Sequence, residues 1–321
     1  MVRSTTQEAP ARRRHEKYER LIAAAQARPR LAVAVAHPCD EASLGAALEA
    51  ADLGLIEPIL VGPRPRIAAA AGGRDLGALR IVEAAHSHDS AARAVALVNA
   101  GEAGALMKGS LHTDELMGAV VRREGGLRTA RRLSHCFVMD VPGHDDPLII
   151  TDAAINIAPT LEEKRDIVQN AIDLAHSFGV EVVRVAIVSA METVNPKVPS
   201  TVDAAALCKM ADRGQITGAV LDGPLALDNA IDLGAAAIKK IRSAVAGRAN
   251  VLVVPDLEAG NMLAKSLTFL ADADAAGIVL GARVPIILTS RADARLTRLA
   301  SCAVATLFAS GRRAASPLPE V

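Results

Sequence analysis

Short apolar runs alternate along the chain with stretches in which apolar positions recur every three or four residues. Leu31 to Ala36 in RLAVAVAHP reads as a strand closed by a proline turn, and SLGAALEAADLGL after it has the 3.6-residue period of a helix. IEPILVGP repeats the strand-then-break pattern, as does ALRIVEAAHS before the helical DSAARAVALVNAG. The same alternation continues through ALMKGSLHTDELMGAVVRR, LSHCFVMDV, EEKRDIVQNAIDLAHSFG, VEVVRVAIVSA, TVDAAALCKMADRG, GAVLDGPLALDNA, NVLVVPDLEAGNMLAKSLTFLA and AGIVLGARVPIILTS. A helix through Tyr18, Leu21 and Ile22 opens the series, with residues 1–13 a frayed arm and GRRAASPLPEV a loose tail.

Strands alternating with helices predict crossover units on a mostly parallel sheet covered on both faces, an α/β fold. PLIITDAAINIAP breaks at Asp152 and reads as a crossing from one sheet to another. The order suggests two α/β domains, one of residues 1–148 rejoined by 285–321 and one of residues 149–284.

Composition narrows the function. Lys plus Arg and Asp plus Glu stand at 36 each, so no global field favours nucleic acid or an anionic membrane. Aromatics are 2% with no Trp, which removes a stacking platform for bases and leaves a core of Ala, Val, Leu and Ile. No apolar run approaches the roughly 20 residues a membrane span needs, and the charged N-terminus is unlike a secretory signal, so a cytoplasmic protein is expected. Cys39, Cys136, Cys208 and Cys302 lie too far apart for a zinc knuckle or redox motif.

Open parallel sheets bind ligands beyond the carboxyl ends of their strands, so polar residues following apolar runs are the candidates. Lys108 with Ser110, His112 and Thr113 follows one run; His37 and Asp40, Asp152 and Asn156, and Ser189, Glu192 and Asn195 follow others. Asp222, Asp228 and Asn229, then Asp256, Glu258 and Asn261, supply further candidates for the cleft. In TSRAD, Ser290 and Asp293 have the spacing of a helix N-cap and its N3 acid. That leaves Arg291 unexplained, because a cation in a first helical turn is disfavoured unless an anion shares the site. An arginine fork, a serine hydroxyl and free helix amides suit an oxyanion such as phosphate, and Lys108 beside Gly109 offers a second cation. The carboxylates form no tight trio with a histidine, so no metal is expected.

The stretches LMKGSLHTDELMGAVV, TDAAINIAPTLEEKRDIVQNAIDLAHSFG, SAMETVNPKVPSTVDAAALCKMADRGQITGAVLDGPLALDNA and VVPDLEAGNMLAKSLTFLADADAAGIVLGARVPIILTSRAD together resemble the phosphate acetyltransferase and phosphate butyryltransferase family from about residue 30 to 309. The resemblance implies a two-domain, three-layer α/β/α fold like that of the isocitrate and isopropylmalate dehydrogenases, with an interdomain cleft, in a homodimer. It implies transfer of an acyl group between coenzyme A and inorganic phosphate, with acyl-CoA as substrate and no tightly bound cofactor or metal. Ser290 and Arg291 match the family's serine-arginine pair in the cleft, which implies that they hold phosphate, with Lys108 the further cation read from its strand end.

Two positions depart from the acetyl branch. Thr297 stands where that branch commonly has an aspartate assigned to thiol deprotonation, and Met117 at the place of an arginine that contacts substrate. Asp293 and His112 are the candidate replacements for the base. Acetyl-CoA is the expected substrate, with butyryl-CoA the alternative. Two other classes remain open: a non-catalytic acyl-CoA-binding module and a decarboxylating NAD-dependent hydroxy-acid dehydrogenase, the latter lacking a glycine fingerprint here.

Overall fold

The computed structural model describes residues 16–77, 79–289 and 293–314. The elements are α1 (Glu16–Gln26), β1 (Leu31–Ala36), α2 (Glu41–Asp52), β2 (Ile56–Gly62), α3 (Arg64–Ala70), β3 (Ile81–Glu83), α4 (Ser87–Asn99), β4 (Ala105–Lys108), α5 (Thr113–Val120), β5 (Ser134–Asp140) and β6 (Leu148–Thr151). After them come α6 (Leu161–Ser177), β7 (Arg184–Val188), α7 (Pro199–Asp212), β8 (Val220–Leu225), α8 (Leu227–Ile231), α9 (Leu233–Ile238), β9 (Val251–Val253), α10 (Leu257–Leu270), β10 (Asp274–Leu280), β11 (Ile286–Ile287) and α11 (Arg295–Ala314).

Among the described residues the strands join one 11-stranded sheet in the order β3-β2-β1-β4-β11-β10-β5-β6-β9-β7-β8. The expected crossing to another sheet at Asp152 is therefore corrected: β6 pairs with β5 on one side and β9 on the other, within the same sheet. Parallel pairing holds from β3 to β11 and from β6 to β8, while β10 and β5 pair antiparallel with their neighbours. These reversals make the two parallel blocks run in opposite directions. Helix α11 also continues to Ala314, into the expected tail, while the expected N-terminal arm lies outside the described residues.

Alternation along each strand sorts side chains to two faces. Leu31, Val33 and Val35 of β1, Cys136 and Val138 of β5, Ile149 of β6 and Val185 of β7 enter one cluster that spans the whole sheet. Leu44 of α2, Ile172 of α6, Leu207 of α7 and Val304 of α11 close it. The opposite face carries two separate clusters. One joins Ala34, Leu106 and Ile286 to α4 and α5; the other joins Ile150, Ala186 and Leu252 to α8, α9 and α10.

The continuous face is tied down by polar pairs as well. Lys17, 7% exposed, donates to Asp140 Oδ1 at 2.7 Å and to Val141 O at 3.0 Å. Val138 and Ala276 face each other across β5 and β10, and the Tyr18 hydroxyl sits between them. It donates to Val138 O and accepts from Ala276 N, each at 2.6 Å. Burial holds that phenol well above its ordinary pKa, so it stays a donor.

Candidate functional site

Chain direction diverges after β1: β2 lies on one side of it and β4 on the other, the arrangement that opens a crevice at the carboxyl ends. There His37 turns the backbone with φ +58°, and its carbonyl accepts from Ser110 N at 2.9 Å and Ser110 Oγ at 2.8 Å. Gly109 is required at this point, since a Cβ would fall 2.3 Å from Ala36 O and 2.5 Å from His37 O. Lys108 ends β4 half-buried, with Nζ 3.3 Å from Gly109 O and 3.4 Å from Leu111 O. Strand β11 runs parallel beside β4, Ile286 opposite Leu106 and Ile287 opposite Met107. Leu288 and Thr289 therefore leave the sheet alongside Lys108 and Gly109, while Ser290 and Arg291 lie outside the described residues.

Helix α5 starts from this edge. His112 precedes it, exposed, with its backbone N–H donating to Glu115 Oε2 at 2.7 Å. A cavity of about 1020 Å³ extends along α5 and across to the start of α6. Thr113, Asp114 and Met117 line it from α5, Arg128, Arg131, Arg132 and Leu133 from the segment entering β5, and Glu162, Glu163, Arg165 and Asp166 from α6. Most of its cations face a carboxylate: Arg131 pairs with Asp173, Arg132 with Glu163 at 3.0 Å and Arg165 with Asp166 at 2.9 Å.

Loop 152–156 supports this wall. Asp152 accepts from Ala154 N at 2.9 Å and Ile155 N at 3.0 Å, and Arg132 Nε donates to Asn156 Oδ1 at 2.7 Å. Behind the loop, in the gap on the divided face, His135 is 2% exposed and packs edge-on against Phe137 with ring centroids 4.4 Å apart. Burial drives its pKa down to about 4, so the imidazole is neutral near pH 7. A Cβ at Gly277 would lie 2.8 Å from Leu288 O and 3.0 Å from the His135 Nε2, so glycine is what lets the backbone and the ring pack this closely.

The remaining expected residues divide by location. Asp256 N-caps α10, accepting from Ala259 N at 2.9 Å, and Asn261 Nδ2 donates to Ala153 O at 3.2 Å. Glu258 is exposed in the first turn of α10, and Asn229 is buried with its amide donating to Glu192. None of these four lines the cavity. His37 faces no cleft: at 4% exposure its Nδ1 lies 3.0 Å from Ser90 Oγ and its Nε2 3.3 Å from Arg66. Asp293 is corrected from the N3 position, because α11 begins at Arg295 and Asp293 precedes the helix. Thr297 is buried, its hydroxyl 3.4 Å from Asp274 Oδ1.

Burial pushes the Cys136, Cys208 and Cys302 thiols up to about 12 and raises Cys39 as well, which disfavours a thiolate nucleophile. Among the described residues no three His, Cys, Asp or Glu side chains gather to hold a metal ion. No described helix is long and apolar enough to cross a membrane. Reasoning from strand ends passed over Arg128, Arg131 and Arg132, which precede β5; the signal was the arginine-rich run RREGGLRTARR itself.

A family model described as "Phosphate acetyl/butaryl transferase" matches residues 79–306. The phosphate acetyltransferase of Rhizobium meliloti is 67% identical over 301 residues, covering 93% of this chain and 95% of that protein. A probable phosphate butyryltransferase of Bacillus subtilis is 45% identical over 289 residues, covering 90% and 97%. Among solved structures, a branched-chain phosphotransacylase from Enterococcus faecalis superposes with a TM-score of 0.76 at 30% identity, covering 87% of this chain and 99% of that one. Family match, identity and superposition agree: the chain belongs to the phosphate acetyl- and butyryltransferase family of transferases.

Proposed function

We propose that this protein is a phosphate acetyltransferase, moving an acetyl group between coenzyme A and inorganic phosphate. The observation that carries the acetyl reading is the gap between 67% identity to an acetyltransferase and 45% to a probable butyryltransferase. The cavity beside the Lys108 edge supports an acyl-CoA substrate and a separate anion.

In this reading Ser290, Arg291 and Lys108 hold phosphate, and one phosphate oxygen attacks the thioester carbonyl carbon. Charge develops on the carbonyl oxygen, where the Ser290 hydroxyl donates a hydrogen bond. The C–S bond then breaks and CoA leaves as a thiolate that takes up a proton. In reverse the thiol must lose that proton. His112 is our choice of base, because Thr113 and Asp114 beside it line the cavity, whereas Asp293 precedes α11 half-buried. Arg128, which makes no ion pair among the described residues, supplies positive charge to the wall that Met117 also lines. The cavity lies between two domains that share the sheet, 1–148 with 285–321 and 149–284.

A homodimer also fits, since Met262, Phe269 and Leu270 of α10 and Ile238 of α9 are 63%, 82%, 86% and 82% exposed.

The test is CoA thiol release from acetyl-, propionyl- and butyryl-CoA, with and without phosphate, with acyl phosphate identified as coupled product. Phosphate-dependent release fastest with acetyl-CoA is expected. Binding of CoA without release would replace the enzyme reading with a binding module.

A further inference from the structure

A second concavity, of about 320 Å³, lies at the far end of α5, and its lining is dominated by Arg122, Arg123, Arg128 and Arg283. The turn that builds it is firmly held. Leu127 N donates to Val120 O at 2.8 Å, Asn99 Nδ2 to Gly125 O at 2.8 Å and Arg283 N to Leu127 O at 2.9 Å. A Cβ at Gly126 would fall 2.2 Å from Arg122 O, so the backbone closes on itself there only with glycine. These contacts bring Arg283, remote in sequence, to the arginines that follow α5.

Charge separates this concavity from the larger cavity. No carboxylate lines it, although Glu124 belongs to the same turn. Arg122, Arg123 and Arg128 make no ion pair among the described residues, whereas Arg131, Arg132 and Arg165 in the neighbouring cavity each have one. Guanidinium groups gathered around a concavity repel one another and focus a positive potential there, which an anion relieves. Their forks match phosphate oxygens in pairs. Arg128 lines both cavities, so the two are continuous at its side chain.

We infer that this arginine concavity binds the phosphorylated nucleotide end of coenzyme A, whose pantetheine arm runs along α5 to the Lys108 edge. The inference rests on the proposed acyl-CoA reaction. The eight residues of α5 span about 12 Å, a distance the pantetheine arm bridges. A volume of about 320 Å³ suits a phosphorylated ribose rather than a whole cofactor.

The full-length Arg122→Ala/Arg123→Ala double variant tests it, since both side chains are exposed and lack ion pairs among the described residues. KM is measured for acetyl-CoA, acetyl-dephospho-CoA, acetyl-pantetheine and inorganic phosphate, and binding of adenosine 3′,5′-bisphosphate by calorimetry. Charge-assisted contacts of this kind predict a rise of roughly 10- to 100-fold in KM for acetyl-CoA, in KM rather than kcat. Bisphosphate affinity falls by a similar factor, and the variant-to-wild-type ratio returns to near one with acetyl-pantetheine. An equal rise for acetyl-pantetheine, or an unchanged KM for acetyl-CoA with unchanged bisphosphate binding, overturns the inference. A change confined to KM for inorganic phosphate also overturns it, assigning the concavity to the free anion. If wild type shows no turnover, the acyltransfer reading fails, and the bisphosphate measurement alone decides the concavity.

Discussion

The two faces of the sheet solve different problems with similar side chains. On one, Ala, Val, Leu and Ile pack into a single cluster across both parallel blocks, closed by α1, α2, α6, α7 and α11. On the other, the same residue types form two clusters with His135 in the gap between them, beside Phe137 and Gly277 at its edge. The continuous face joins the blocks, and the larger cavity opens where α5, packed on one of the divided clusters, faces the start of α6. Stability and function should therefore respond to different substitutions.

The largest stability effect is expected at the buried ion pair of the continuous face. Asp140→Ala strands the Lys17 ammonium and should lower unfolding free energy by about 3–5 kcal/mol, read by urea denaturation, with turnover per folded molecule unchanged. Replacing both partners, Lys17→Met with Asp140→Leu, should recover most of it. If the single variant matches wild type, the pair does not join the blocks.

Arg291→Ala should do the reverse, lowering kcat/KM by about 10²–10³-fold with little change in melting temperature. Normal phosphate-dependent turnover in that variant would remove Arg291 from the anion site.

The divided face carries an acid sensitivity through His135. An unfolded histidine binds a proton below about pH 6.5, whereas this one resists protonation until about pH 4. The unfolded state thus holds more protons in that window, so this contribution is intact above the upper limit and is lost as pH falls toward the lower one, by about 3 kcal/mol. Unfolding curves of wild type and His135→Asn across the window should diverge in slope; parallel curves would remove His135 as the cause.

Smallest is Tyr18→Phe, which leaves Val138 O and Ala276 N without the bridging hydroxyl. A loss of about 1–3 kcal/mol is expected by thermal unfolding; no loss would mean that the strands close directly on each other.

Much of this organisation was legible in the chain. Runs such as Leu31 to Ala36 and Val251 to Val254 announce buried strands, and the polar residues after them mark a carboxyl edge where Lys108 and the end of β11 do emerge together. The division of the faces was not legible, because a strand buried on both sides shows no alternation to say which cluster each residue joins. The Lys17 pair with Asp140 links residues 123 positions apart, beyond any local pattern. The arginines after α5 were visible as a charged run, but their assembly depends on Gly126 and on Arg283 arriving from another part of the chain.

Whether acyl-CoA binds in the cavity between α5 and the start of α6 is decided by amide hydrogen exchange with and without CoA. Protection should concentrate in residues 113–133 and 152–166, leaving α1, α2 and the carboxyl half of α6 unchanged. Protection centred instead on the concavity between α1 and the end of α6, around Leu21, Phe178 and Val180, would place the ligand away from α5 and contradict this assignment.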